Sequence, residues 1–182
     1  MRFFLIGLLM AFLINPSYGV VDCPPAITNG KLYGILPVVN QKLSYSEVAD
    51  CGAVSQADLF RRARLWAAQS CHAPGDTFSL SDKETGDLVG RVSQVVTLPR
   101  SEHSAGGVYT FQYSFIIECT NRKYRATITQ LDVLENGGKA TPIETYCQKN
   151  EADLRVIYAA LDGQIRDRLA SLQEGVKNYK PF

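Results

Sequence analysis

Tyr109 to Cys119, YTFQYSFIIEC, constrains the fold more than any other stretch of this chain. Tyr109, Phe111, Tyr113, Phe115 and Ile117 alternate with Thr110, Gln112, Ser114, Ile116 and Glu118. A period of two sends successive side chains to opposite faces of a strand, so this one has an aromatic face and a mostly polar face. Thr120 to Arg122 is short enough for a turn, and Lys123 to Val133 reads as the partner strand. Tyr124, Ala126 and Ile128 continue the buried row, while Lys123, Arg125, Thr127 and Thr129 continue the polar one. Arg122, Lys123 and Arg125 then have a plain role, because cations at a hairpin corner protect an edge and keep it soluble. An anion site is the competing reading, and the formal net charge of only +1 weakens it.

The rest of the chain is read around that hairpin. Leu43 to Val54 is a strand candidate. Ser55-Gln-Ala-Asp58 has the form of a capping box, in which the Ser55 hydroxyl and the Asp58 carboxylate both take up free N–H groups. The helix it opens carries Leu59, Ala63, Trp66 and Ala67 on one stripe and ends around Cys71, before Pro74-Gly75. Thr77 to Leu80 and Leu88 to Leu98 are strands, separated by the polar turn SDKETGD. Pro99 to Gly107 and Glu135 to Tyr146 are loops. Asn150 caps a long helix whose apolar stripe, Leu154, Ile157, Tyr158, Leu161, Ile165, Leu169, Leu172 and Val176, is of the kind that lies on a sheet. The expected class is therefore α+β: a single antiparallel curved sheet in β-α-β-β-β-β-α order with both helices packed on one face. Trp66, Phe111, Tyr113, Phe115 and Tyr124 are its expected core.

The N-terminus sets the compartment. Arg2 precedes an apolar run from Phe3 to Ile14, and Ser17-Tyr18-Gly19 supplies the small residues a signal peptidase reads. That run of about 12 residues is short of the roughly 20 a bilayer core requires, so a cleaved signal is expected, with no stable membrane anchor afterwards. Cys23 follows Asp22, which does not suit a lipidation site. The expected organisation is a signal peptide at 1–19, an extended lead-in at 20–41, one domain at 42–176 and a tail at 177–182. Arg2 is the only charge before the cleavage site, so the mature chain balances to zero, and neither nucleic acid nor an anionic membrane is an expected partner.

Five cysteines survive cleavage: Cys23, Cys51, Cys71, Cys119 and Cys147. An oxidising compartment allows one or two disulfides among them and leaves at least one thiol over. Cys51 and Cys71 are not expected to pair with each other. The helix before Cys71 is roughly 22 Å long and Cys51 lies only about 10 Å back along its strand, so the two fall beyond the reach of a disulfide.

Several phrases in this order, LPVVNQKLSYSEV, SQADLFRRARLWAAQS, DKETGDLVGR and RKYRATIT, resemble a family of exported bacterial proteins of unknown function with a TATA-binding-protein-like fold. The carrying features are the Tyr-containing first strand, Phe60 to Trp66 in the helix, the D-x-x-T-G turn and the K-Y-R strand. They cover roughly Leu36 to Asp132. The resemblance implies that fold and a Bacteroidota-type Gram-negative source, in the periplasm or outside the cell. It implies no activity and defines no catalytic residue. Cys51, Cys71 and Cys147 fall outside its pattern, and the fold by itself does not bring DNA binding with it.

No catalytic, metal or cofactor constellation is recognisable. Asp82, Glu84 and Asp87 lack the order of a calcium loop and read as turn residues. A Cys–His hydrolase through Cys71 and His103 is the weakest reading; Cys71 and His72 are sequence neighbours, which does not by itself make a nucleophile–base pair. The stronger candidate is the polar sheet face, carried by Arg91, Ser93, Gln112, Ser114, Arg125 and Thr127. It suits a small polar ligand or an envelope protein, with a solvated face as the plain alternative. A structural role through homodimerisation at a sheet edge is the third reading.

Overall fold

Asn29 and Gly30 adopt φ of 53° and 71°, the left-handed pair that a two-residue hairpin loop needs. They fold β1 (Ile27–Thr28) onto β2 (Lys31–Leu32). These assignments come from a computed structural model that describes residues 27–73, 76–135, 138–147 and 150–179. The expected signal peptide, its cleavage site and Cys23 lie outside the described residues. Asn40 and Gln41, at φ 50° and 65°, repeat the device between β3 (Leu36–Val39) and β4 (Lys42–Asp50). The lead-in is thus extended as expected, but from Ile27 on it is built into the sheet as three short antiparallel strands.

β4 stops at Asp50, earlier than its sequence suggested, and α1 (Gln56–Ser70) follows. Half of the expected capping box forms. Ser55 Oγ accepts from the Asp58 N–H at 3.3 Å. The Asp58 carboxylate does not reach back; it holds Arg61 and Arg62 at 2.9 and 2.6 Å instead. The second cap comes from elsewhere, because Asn121 Oδ1 accepts from the Gln56 N–H at 2.9 Å. Asn121 belongs to the turn between β7 (Gly107–Thr120) and β8 (Lys123–Leu134). In the same turn the Arg122 carbonyl accepts from Cys51 N, and Arg122 N donates to the Val54 carbonyl. The basic corner is therefore a hairpin turn stapled to the start of α1.

Between α1 and β7 run β5 (Thr77–Asp82) and β6 (Asp87–Leu98). Asp82 Oδ1 accepts from the N–H groups of Glu84 and Thr85, and Gly86 closes the turn at φ 84°. A Cβ on Gly86 would run into the Cys119 carbonyl oxygen, so this turn needs glycine twice over. β9 (Ala140–Pro142) adds a short strand where only a loop was expected, and α2 (Glu151–Lys177) ends the described fold. Asn150 Oδ1 caps α2 by accepting from Ala152 N and Asp153 N.

Among the described residues the sheet is antiparallel, in the order β1-β2-β3-β4-β8-β7-β6-β5, with β9 on β8. Leu88, Val92, Val96, Phe111, Tyr113, Phe115, Ile117, Ala126 and Ile128 share one face and are buried. Both helices cover that face. Trp66 meets Phe115 at 5.5 Å between ring centroids and donates its indole N–H to Ser171 on α2. Gly175 permits this fit, since a Cβ there would sit 2.9 Å from the Trp66 ring. All five residues expected in the core are buried. Burying a side chain of this kind contributes about 1.5–3 kcal/mol, which makes the aromatic row of β7 the main anchor of the fold.

Candidate functional site

The sheet face opposite the helices carries no second layer among the described residues. The antiparallel register sets Arg91 of β6 beside Ser114 of β7, and Ser93 beside Gln112. Arg125 of β8 lies beside Glu118, and Thr127 beside Ile116. All six candidate residues fall on this face, but they do not make one site.

Arg91 is the centre. Its Nη2 donates to Asp132 Oδ2 at 2.7 Å and to Gln112 Oε1 at 3.4 Å. Its Nη1 donates to the Gln130 carbonyl at 3.0 Å and to Ser114 Oγ at 3.4 Å. Ser114, the one buried polar residue among those described, donates its own hydroxyl to Gln130 Oε1 at 2.8 Å. The knot forms because β8 bulges: Gln112 pairs with Asp132 and Ser114 with Thr129, which leaves one extra residue in β8. Gln130 takes φ 53° at this point. The bulge shifts Leu131 and Val133 into the core and carries Asp132 out to Arg91.

Gln130 and Asp132 were not among the expected site residues, yet the sequence signals them. Strict alternation from Tyr124 places both on the buried side, and two polar residues at successive core positions announce a break in register.

The remaining candidates sit apart. Arg125 Nε and Nη2 grip both oxygens of Glu118 at 2.7 Å, and these hydrogen bonds hold the Glu118 carboxyl below its usual range against the opposing pull of burial. Ser93 gives its backbone N–H to Asp76 Oδ1 at 2.7 Å. Thr127 lies half-buried between β4 and β7. A shallow hollow of about 250 Å³ lies between Val48, Lys123 and Arg125. Around the knot, Val48, Leu80, Val95 and Val108 are exposed, Val48 and Val108 by 65% and 68%. By register all four are on the open face. The face therefore has a polar centre whose groups are matched to each other and a partly apolar surround.

The cysteines are distributed differently. Cys51, Cys71 and Cys119 are free thiols, so Cys51 and Cys71 are indeed unpaired. Burial raises all three thiol pKa values, that of Cys119 to about 12. The side chain that reaches Cys71 Sγ is Arg168, at 3.5 Å. His72 and His103 are both exposed.

Residues 45–133 match the family model described as a domain of unknown function (DUF4468) with TBP-like fold. Over that stretch, just under half of its length, the chain is similar to that domain. The DUF4468 region runs from the middle of β4 to the end of β8, and so contains α1, the D-x-x-T-G turn and the Arg91 knot. A crystal structure of a DUF4468 family protein from Bacteroides ovatus ATCC 8483 superposes with a TM-score of 0.61 at 14% identity, covering 77% of this chain and 91% of that one. A TBP-like protein from Parabacteroides distasonis ATCC 8503 gives 0.64 at 16% identity, covering 80% of this chain and 99% of that one. At such identities the likeness shows the fold alone. No curated protein matches the sequence.

Proposed function

We propose that this protein is exported to the cell envelope and works there as a non-enzymatic interaction module, presenting the open face of its sheet to a partner protein. The signal-like N-terminus supports export. The observation that carries the rest is the make-up of the open face. Arg91 is already matched in charge by Asp132 and donates to Gln112, Ser114 and Gln130 as well, so a small anion would have to compete with these internal partners. A protein surface need displace none of them. It can bury Val48, Leu80, Val95 and Val108 while leaving the polar centre intact, a pattern that suits interfaces.

The test is native mass spectrometry of the protein purified from the envelope of its own host. A stoichiometric protein adduct, with crosslinks mapping to the open face, is the expected result. An adduct crosslinked only through the helices would overturn the reading.

A second reading, homodimerisation, is favoured by β5. This strand pairs only with β6 and leaves most of its residues exposed at the end of the sheet. Sedimentation of the purified protein distinguishes the two, because self-association appears without any partner.

We also propose one disulfide at Cys147, which carries no titrating thiol, while Cys51, Cys71 and Cys119 are free.

A further inference from the structure

On the helix side, away from the open face, a cavity of about 310 Å³ opens between the end of α1, the middle of α2 and β6. That is at the small end of the roughly 300–1,000 Å³ typical of ligand pockets. Arg168 lines it, and Arg168 contrasts with four arginines that grip carboxylates. In Arg61, Arg62, Arg125 and Arg155 the Nε and Nη2 groups close together on a carboxylate. Arg168 is half-buried, yet its partners are all neutral: the Ser70 carbonyl, Cys71 Sγ and Gln94 Oε1. Its Nε has no partner among the described residues. The contact with Ser70 offsets the exposed carbonyls at the end of α1, which has no basic residue of its own in its last turn. On the Nε–Nη2 edge, Gln94 takes Nη2 and Nε is left for a further acceptor.

Two buried polar atoms near Arg168 also lack partners, Oε1 of the lining residue Gln164, which is sealed from solvent, and the Tyr113 hydroxyl. Tyr113 is fully buried beneath the helices, within electrostatic reach of Arg168, Cys71 and Asp76. Asp167, on the cavity wall, has no ion pair among the described residues. The lining thus has a cation at Arg168 with no carboxylate partner and, one residue away on the same helix, a carboxylate at Asp167 with no cation.

We propose that this cavity binds a free α-amino acid, with the carboxylate on Arg168 Nε and sharing Nη2 with Gln94, and the ammonium on the Asp167 carboxylate. A zwitterion carries both charges on one carbon, and so answers both needs at once. This site is separate from the open face, so either proposal can fail without the other.

The test is amide-resolved NMR titration of the folded protein with glycine, L-alanine, L-leucine and L-glutamate, each taken singly. At least one should give saturable shifts confined to 164–171, the end of α1 and Gln94. Acetate, methylamine and N-acetylglycine, which each lack one of the two charges, should bind at least tenfold more weakly. Arg168→Lys keeps the charge but loses the fork, and should weaken the best ligand at least tenfold. Asp167→Asn, at an exposed position, should weaken it severalfold without altering the spectrum of the free protein. The proposal is overturned if no amino acid gives saturable shifts, if the shifts map elsewhere, or if N-acetylglycine binds as well as glycine. Binding unchanged in both variants overturns it equally.

Discussion

Arg91 donates four hydrogen bonds to groups of two neighbouring strands, and Asp132 lies half-sheltered beneath it. Arg91→Ala strands these acceptors at the bulge, where Gln130 already holds an unfavourable backbone conformation. The expected loss is about 1–3 kcal/mol, the cost of leaving sheltered polar groups unpaired. Arg91→Lys should recover only part of it, because an ammonium cannot span the same acceptors as a planar fork. The control is the double change Gln112→Ala with Arg125→Ala. Gln112 makes only a long contact with Arg91, and Arg125 is exposed beside Glu118. Urea unfolding curves should therefore place the double variant with the parent and Arg91→Ala well below it. The reverse order would mean that the polar row at Arg125, not the bulge knot, holds the face together.

At the scale of whole elements, α2 meets β4 through an acid-sensitive contact. Tyr45 donates its hydroxyl to Asp162 at 2.7 Å, and Arg166 grips the other carboxylate oxygen at 2.8 Å. Burial works against ionising Asp162, but these hydrogen bonds outweigh it and hold its carboxyl below the usual range. A depressed folded pKa adds stability above the unfolded value, about 4 for a carboxyl, and that stability is lost as pH falls through the folded value. Asp58 and Glu118 are shifted in the same direction. The melting temperature should therefore hold steady from neutral pH to about 5 and fall below about 4. Asp162→Asn should lower the plateau and flatten the acid limb, and an acid limb unchanged in this variant would remove Asp162 from the account. The same elements show what could be read in advance. The period-two row of β7 and the stripe of α2 are dictated by burial, and both formed as their patterns require. The early hairpins were also signalled, by Asn29-Gly30, but a two-residue strand has too few side chains to show a period. The second cap of α1 was beyond reach, because Asn121 comes from a turn 65 residues away in sequence.

For the molecule as a whole, the thiols and the open face make separate claims. In denaturant without reductant, three thiols should react, those of Cys51, Cys71 and Cys119, and reductant should release two more. In the native protein the half-buried Cys51 should react first and Cys119, 1% exposed with its pKa raised to about 12, last. Five reactive thiols without reductant would remove the proposed disulfide. The open face is tested by its rim. Val48 and Val108 stand near opposite ends of the face, and both are largely exposed. Neither fills a core position, so Val48→Lys with Val108→Lys should leave the melting temperature near that of the parent. If a partner protein buries this face, each lysine must be desolvated opposite whatever met the valine, which costs far more at a dry interface than in water. The double variant, expressed in its own host, should then lose the partner adduct in native mass spectrometry while Leu65→Lys on the outer side of α1 keeps it. Retention by the rim variant, with loss in the helix variant, would move the binding surface to the other side of the molecule.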